Sequence, residues 1–237
     1  MATKLKAKAR RTPRRAAFTT VDELLRSLGV PAKRVRLDPP PGTATVRDVI
    51  RIHAREGRLF ELVDGTLVEK AISADASFVA VTLIQLLGFY HQTAGNLGMV
   101  LGSDGFLRIS ARYVRAPDVS FTNWDRLPNR KVPREPIPTL VPDLAVEVLS
   151  PSNTRREMAR KRNEYFQSGV RLVWVIDPKG RTVQAYTSPG EVADLGPADI
   201  LTGGDVLPAF AVKVGELFAN LADEPAPARK PKGRRRL

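Results

Sequence analysis

Apolar residues recur at helical spacing over Val21 to Leu28, where Val21, Leu24, Leu25 and Leu28 share a face before Gly29 and Pro31. That spacing predicts a short opening helix. Pro39 to Gly42 form a loop, and Thr45 can cap a second helix running from Val46 to Ala54, ahead of Gly57. Leu59 to Asp64 and Thr66 to Lys70 flank an Asp64-Gly65 pair suited to the positive φ of a tight turn, so they predict a hairpin. The longest helical pattern is Ser73 to Gln92, whose wide stripe of Phe78, Val79, Val81, Leu83, Leu86, Leu87 and Tyr90 suits packing on a sheet.

Met99 to Leu101, Phe106 to Ile109 and Asp118 to Phe121 predict further strands between Gly and Pro punctuation. Five prolines between Pro128 and Pro142 make Asn123 to Pro142 a surface loop. The clearest unit follows: strand Asp143 to Leu149, helix Thr154 to Ser168 stopped by Gly169, strand Arg171 to Ile176, then a turn and strand Thr182 to Tyr186. Strand, helix and strand in that order imply a parallel crossover. No internal repeat is visible. The expectation is one α/β domain built on a mixed β-sheet flanked by α-helices.

Composition adds exclusions. The 237 residues are 43% hydrophobic and 27% charged, ordinary for a globular chain with a substantial core. Phe78 to Tyr90, the longest mostly apolar stretch, is about 13 residues against the roughly 20 that a membrane span needs, so no membrane partner is expected. The absence of cysteine excludes a disulfide framework, a thiolate zinc site and a cysteine nucleophile, and two histidines, His53 and His91, cannot make a histidine-rich metal site.

The net charge of +13 sits in the ends. Residues 1–20 and 225–237 hold 13 of the 38 Lys and Arg with no acid, so the 25 basic residues left between Val21 and Glu224 match 25 acidic ones. Both ends are short in large apolar residues and are expected to be disordered: a basic arm over 1–20, a folded domain over 21–222 and a basic tail over 223–237. As flexible cationic arms they suit non-specific phosphate-backbone binding, or serve only as solubilising ends. The arm lacks the apolar segment of a secretory signal, which leaves a cytoplasmic location as the expectation.

Four residues are candidates for chemistry. Glu147 interrupts the apolar run Leu144 to Leu149, and a carboxylate in a buried strand needs a cation, a basic partner or access to a cleft. It is either half of a structural ion pair or a functional acid, and perturbed carboxylates concentrate at functional sites. Asp118, after Pro117, stands at the start of a strand, where Asp is also common in turns. Glu61, between Phe60 and Leu62, fits the solvated face of an edge strand by spacing alone. Lys161 falls beside Met158 and Tyr165 on the sheet-facing edge of its helix, but it also follows Glu157 by four residues, the spacing of a plain intrahelical ion pair. No phosphate-binding glycine loop, nucleophile elbow or zinc-protease His pair is present. Trp174 and Tyr186, in apolar strands, read as core.

Phe60-Glu61-Leu62-Val63-Asp64-Gly65, Ala116-Pro117-Asp118-Val119, the run Pro142 to Ser152, and Lys161-Arg162-Asn163-Glu164-Tyr165 through to Trp174-Val175-Ile176-Asp177-Pro178 together resemble the Uma-two family of restriction endonucleases. That family is a branch of the PD-(D/E)XK nuclease superfamily, and the resemblance covers roughly Leu59 to Phe218 in order and spacing. It implies a restriction-endonuclease-like core over 58–222, preceded by a helical extension over 21–57. It implies a DNA endonuclease using Mg²⁺, with Mn²⁺ as substitute, in which Asp118 and Glu147 bind the metal, Glu61 is an accessory acid and Lys161 is the basic residue. The lysine expected two positions after the second acid is Leu149 here, and Lys161 replaces it. A histidine that many relatives carry at the start of the long helix is also missing, where this chain has Asp75, Ala76 and Ser77. Two acids would supply hard oxygen ligands, and a nearby lysine would stabilise developing negative charge. A homodimer would suit double-strand cutting. The alternative of a different class is a catalytically inactive nucleic-acid-binding or interaction module that keeps the fold.

Overall fold

A computed structural model describes residues 18–222. The disorder expected of the basic ends concerns 1–17 and 223–237, which lie outside the described residues. Phe18 to Thr20 belong to the fold: Phe18 packs beside Leu24 and Leu28, and the Thr20 side chain accepts the Glu23 backbone N–H at 3.1 Å.

Among the described residues four α-helices form where the apolar periodicity places them: α1 (Val21–Leu28), α2 (Val46–Glu56), α3 (Ala74–Ala94) and α4 (Arg155–Ser168). Their ends follow capping chemistry. Ser73 and Thr154 accept the backbone N–H groups of Ala76 and Glu157, and Gly29, Gly57, Gly95 and Gly169 close all four helices in the left-handed conformation. The 21-residue α3 is long and apolar enough, by length and composition, to cross a membrane, which the shorter expected stretch was not. Its Val79, Leu83 and Leu87 are fully buried in the core against the strands of the larger sheet.

The strands, in chain order, are β1 (Val35–Arg36), β2 (Phe60–Val63), β3 (Thr66–Glu69), β4 (Gly98–Leu101), β5 (Leu107–Arg108), β6 (Tyr113–Arg115), β7 (Val119–Asn123), β8 (Leu144–Val148), β9 (Leu172–Asp177), β10 (Thr182–Tyr186), β11 (Val192–Leu195), β12 (Ile200–Gly203) and β13 (Leu207–Lys213). Among the described residues they form three sheets, where one was expected. The first runs β1-β3-β2-β6-β5, the second β11-β10-β9-β8-β7-β4, and the third is the ribbon β12-β13. Among the described residues only the β8–β9 pair is parallel, as the strand-helix-strand unit requires, so the six-stranded sheet is the mixed one. The division between the first two sheets falls at Ala116-Pro117. Proline has no N–H to donate to a ladder, so β6 ends in one sheet and β7 begins in the other, with Asp118 at the junction.

The six-stranded sheet is covered on both faces. Leu144, Val146 and Val148 of β8 join Trp174 and Ile176 of β9 in the core beneath α3. Ala145, Val173 and Val175 face Tyr165 of α4. This period of two directs Glu147 toward α4 and away from α3. The N-terminal extension is tied to α4 by Arg34, whose guanidinium donates two bonds of 2.8 Å to Glu157.

Candidate active site

The buried face of α4 carries Glu157, Met158, Lys161, Glu164 and Tyr165, a helical stripe in which three of five side chains are charged. Buried charges are tolerated only when paired, and here each finds a partner from a different segment. Lys161 Nζ donates to Glu147 Oε2 at 3.0 Å and to Glu61 Oε1 at 3.1 Å. Tyr165 donates its hydroxyl to Glu147 Oε1 at 2.5 Å. Glu61 Oε2 accepts from Arg115 at 2.7 Å, its Oε1 accepts the Ala116 N–H at 3.2 Å, and Arg115 reaches on to Glu164.

Asp118 extends this array toward solvent. One residue beyond the Val119↔Val146 pair, the register sets it opposite Glu147. Its Oδ2 accepts the Val148 backbone N–H at 2.7 Å, and its Oδ1 lies 2.9 Å from Lys70 Nζ. Asp118 lines a cleft of about 530 Å³ whose other walls include Ser73, Ser77 and Ala80 at the start of α3 and the turn at Gly102-Ser103-Asp104. Glu61, Glu147 and Lys161 lie behind it, at 0%, 5% and 3% exposure. Four acids, Glu61, Asp118, Glu147 and Glu164, are thus interleaved with four bases, Lys70, Arg115, Arg160 and Lys161.

The electrostatics distinguish the acids. Burial would raise the Glu61 carboxyl, but Lys161, Arg115 and Lys70 outweigh it and hold the group well below the usual carboxylate range. Glu147 goes the other way: burial raises it, and the charges of Glu61 and Asp118 add to that effect against the pull of Lys161. Lys161 loses solvation too, yet Glu147 and Glu61 keep its ammonium charged above the normal lysine range. Tyr165, buried beside Glu147, stays a neutral hydroxyl donor.

The fold therefore brings Glu61, Asp118, Glu147 and Lys161 together from β2, the β6–β7 junction, β8 and α4. Two expectations from spacing are corrected. Glu61 is not on a solvated edge, because β2 is flanked by both β3 and β6 and the side chain is fully buried. The Lys161 ammonium bonds to Glu61 and Glu147, because Arg34 and Asn153 already hold the Glu157 carboxylate. Sequence reasoning missed Lys70 and Arg115. Arg115 interrupts the run Val114 to Val119 much as Glu147 interrupts its own, a usable signal, whereas Lys70 at the end of a hairpin strand looks like any lysine reaching into water.

Among the described residues no group of three or more His, Asp or Glu side chains is arranged to hold a metal ion. The pair Asp118 and Glu147 still fits a hard divalent cation. Mg²⁺ is commonly held by only one or two carboxylates plus water and substrate phosphate. Each of their oxygens has one protein donor, and a carboxylate offers about four lone-pair directions, so acceptor capacity remains. The upward shift of Glu147 beside two other acids also marks a place where added positive charge is favourable.

Comparison with known proteins agrees with this architecture. No curated protein matches the chain significantly. Among solved structures it is similar to the "putative nuclease belonging to DUF820" from Anabaena variabilis, with a TM-score of 0.60 and 18% identity over 68% of this chain and 90% of that one. At that identity the likeness speaks to the fold, a restriction-endonuclease-like mixed α/β architecture. A family model described as "Putative restriction endonuclease" matches residues 46–215, most of the chain and all of the charged array. On that match the chain belongs to the Uma2 family of nucleases.

Proposed function

We propose that this protein is a Mg²⁺-dependent endonuclease that hydrolyses DNA phosphodiester bonds at the cleft bordered by Asp118. The observation that carries the reading is the convergence of Glu61, Asp118, Glu147 and Lys161, from four separate segments, at the end of the β7–β8 pair beside an open cleft. Membership of a nuclease family supports DNA as the substrate.

In this reading Asp118 and Glu147 hold the cation, which when bound neutralises phosphodiester charge and lowers the pKa of an attacking water. The protein contributes preorganisation. The Val148 N–H fixes one oxygen of Asp118, and the Tyr165 hydroxyl fixes one oxygen of Glu147, so neither carboxylate must reorient when the cation arrives. Lys161 brings a permanent positive charge against Glu147, suited to balancing negative charge that develops on phosphate oxygens. Glu61 acts as a positioning residue: buried behind Lys161, it holds that ammonium in place and is itself held by Arg115. A dimer would place two such sites on opposite strands.

Cleavage of supercoiled plasmid tests the proposal, with wild type and Glu147→Ala compared in Mg²⁺, Mn²⁺ or EDTA and circular dichroism recorded for both. Nicking that requires the metal and disappears in a folded Glu147→Ala protein is expected. No nicking by folded wild type with either metal, together with salt-sensitive DNA binding, would overturn it in favour of an inactive binding module.

A further inference from the structure

Lys70 belongs to the array but has no part in the reading above, and its surroundings are unusual for a lysine. Its ammonium lies at the meeting point of three oxygens from three segments: Asp118 Oδ1 at 2.9 Å, the Ser103 carbonyl at 2.9 Å and the Ala116 carbonyl at 2.5 Å. An ammonium has three protons to donate, and here each has an acceptor. The side chain is 3% exposed, so these bonds are not competing with bulk water. A carboxylate and two carbonyls converging on one point are a hard-oxygen set of the kind that holds Mg²⁺ or Ca²⁺.

The carboxylate cannot easily turn away from this point. Its other oxygen is pinned by the Val148 N–H at 2.7 Å, which leaves Oδ1 directed at Lys70. Lys70 comes from the end of the β2–β3 hairpin, while Ser103 and Asp118 line the cleft, so the lysine fills from the protein side a position whose oxygens border the substrate side. Its charge also reaches Glu61 and Glu147.

We propose that the Lys70 ammonium is a tethered cation occupying an oxygen cage at Asp118, so that a divalent ion engages Asp118 in competition with Lys70 and this lysine sets the metal affinity of the site. The inference rests on Asp118 and Glu147 being metal-binding acids. It makes the wild-type protein a weak metal binder, loaded only at high divalent concentration or when substrate phosphate assists. Lys70 is then a tuning residue and not one that touches the reacting atoms.

The experiment is calorimetric titration of the full chain with Mn²⁺, without DNA, for wild type, Lys70→Gln, Lys70→Arg and Glu147→Ala, with circular dichroism on each. Lys70→Gln keeps donors for the carbonyls and removes the charge. The expected result is at least tenfold tighter Mn²⁺ binding by Lys70→Gln than by wild type, with Lys70→Arg staying close to wild type. Equal affinity of wild type and Lys70→Gln, lost in Glu147→Ala, would overturn the competition while leaving the metal reading intact. Absence of Mn²⁺ binding in both wild type and Lys70→Gln would overturn the two together. If Lys70→Gln does not fold, the ¹⁵N resonance of the Lys70 ammonium in wild type decides: a shift that saturates with Mg²⁺ supports competition, and an unmoved signal while Mg²⁺ binds overturns it.

Discussion

Replacing Glu61 with Gln preserves side-chain shape and removes one charge from the centre of the array. Two buried cations depend on that charge: Lys161, 3.1 Å from one oxygen, and Arg115, 2.7 Å from the other. Both are essentially inaccessible to water, so solvent cannot replace the lost partner. Breaking a buried ion pair by removing one member typically costs about 3–5 kcal/mol, because the remaining charge is left uncompensated in a poorly polarisable interior. For a domain of this size each kcal/mol lowers Tm by about 2–4 °C, so a fall of roughly 6–20 °C is expected. The exposed Asp22–Arg26 pair is the control. Its side chains are 73% and 63% exposed, and Arg26→Gln should cost no more than about 1 kcal/mol.

Denaturant unfolding of wild type, Glu61→Gln, Arg115→Met and the double variant measures both the cost and its origin. If the charge pair is responsible, the double variant is destabilised by less than the sum of the singles, with a coupling of about 0.5–3 kcal/mol. A Glu61→Gln loss within 1 kcal/mol of wild type, or strict additivity with Arg115→Met, would refute the reasoning and make Glu61 a spectator in the core.

The pH dependence has a sign that follows from the same residue. Unfolded Glu61 takes up its proton near 4.5, whereas the folded group is held well below that, so Glu61 contributes fully above pH 4.5. Its contribution is lost as pH falls below that value toward the folded pKa, where the unfolded chain binds more protons. Thermal melting from pH 7 to pH 3 should therefore show a steeper acid decline for wild type than for Glu61→Gln, and parallel curves would count against it. At the Asp64-Gly65 turn, φ values of 49° and 75° require left-handed backbone, and a Cβ on Gly65 would lie 2.5 Å from the Gly42 carbonyl. Gly65→Ala should cost at least about 1–2 kcal/mol from the conformation alone, visible as a lower Tm, and an unchanged Tm would refute the backbone requirement at this turn.

What local pattern can encode was legible in the chain. The four helices follow from apolar periodicity and their Ser, Thr and Gly ends, and the β8–α4–β9 crossover follows from buried-strand composition around a helical stripe. Glu147 stood out because a carboxylate among Leu, Ala and Val must have a reason to be there. The two-residue β5 fell within an expected strand, but β1 and β6 carry too little alternation to be read, and nothing was expected of β11, β12 and β13. In β13 Pro208 disguises a strand that is tolerated because it lies in a two-stranded ribbon.

The charged array shows where sequence ends and tertiary structure begins. Spacing could say that Lys161 sits on the inner edge of α4, but its neighbour by spacing, Glu157, is taken by Arg34 from 123 residues away. Spacing suggested water around Glu61; the sheet order, which sets β6 on its open side, buried it against Arg115. Periodicity determines which face a side chain takes, because that depends only on the geometry of its own helix or strand. Which opposite charge waits there depends on how distant segments are stacked, and that is decided only when the whole chain packs.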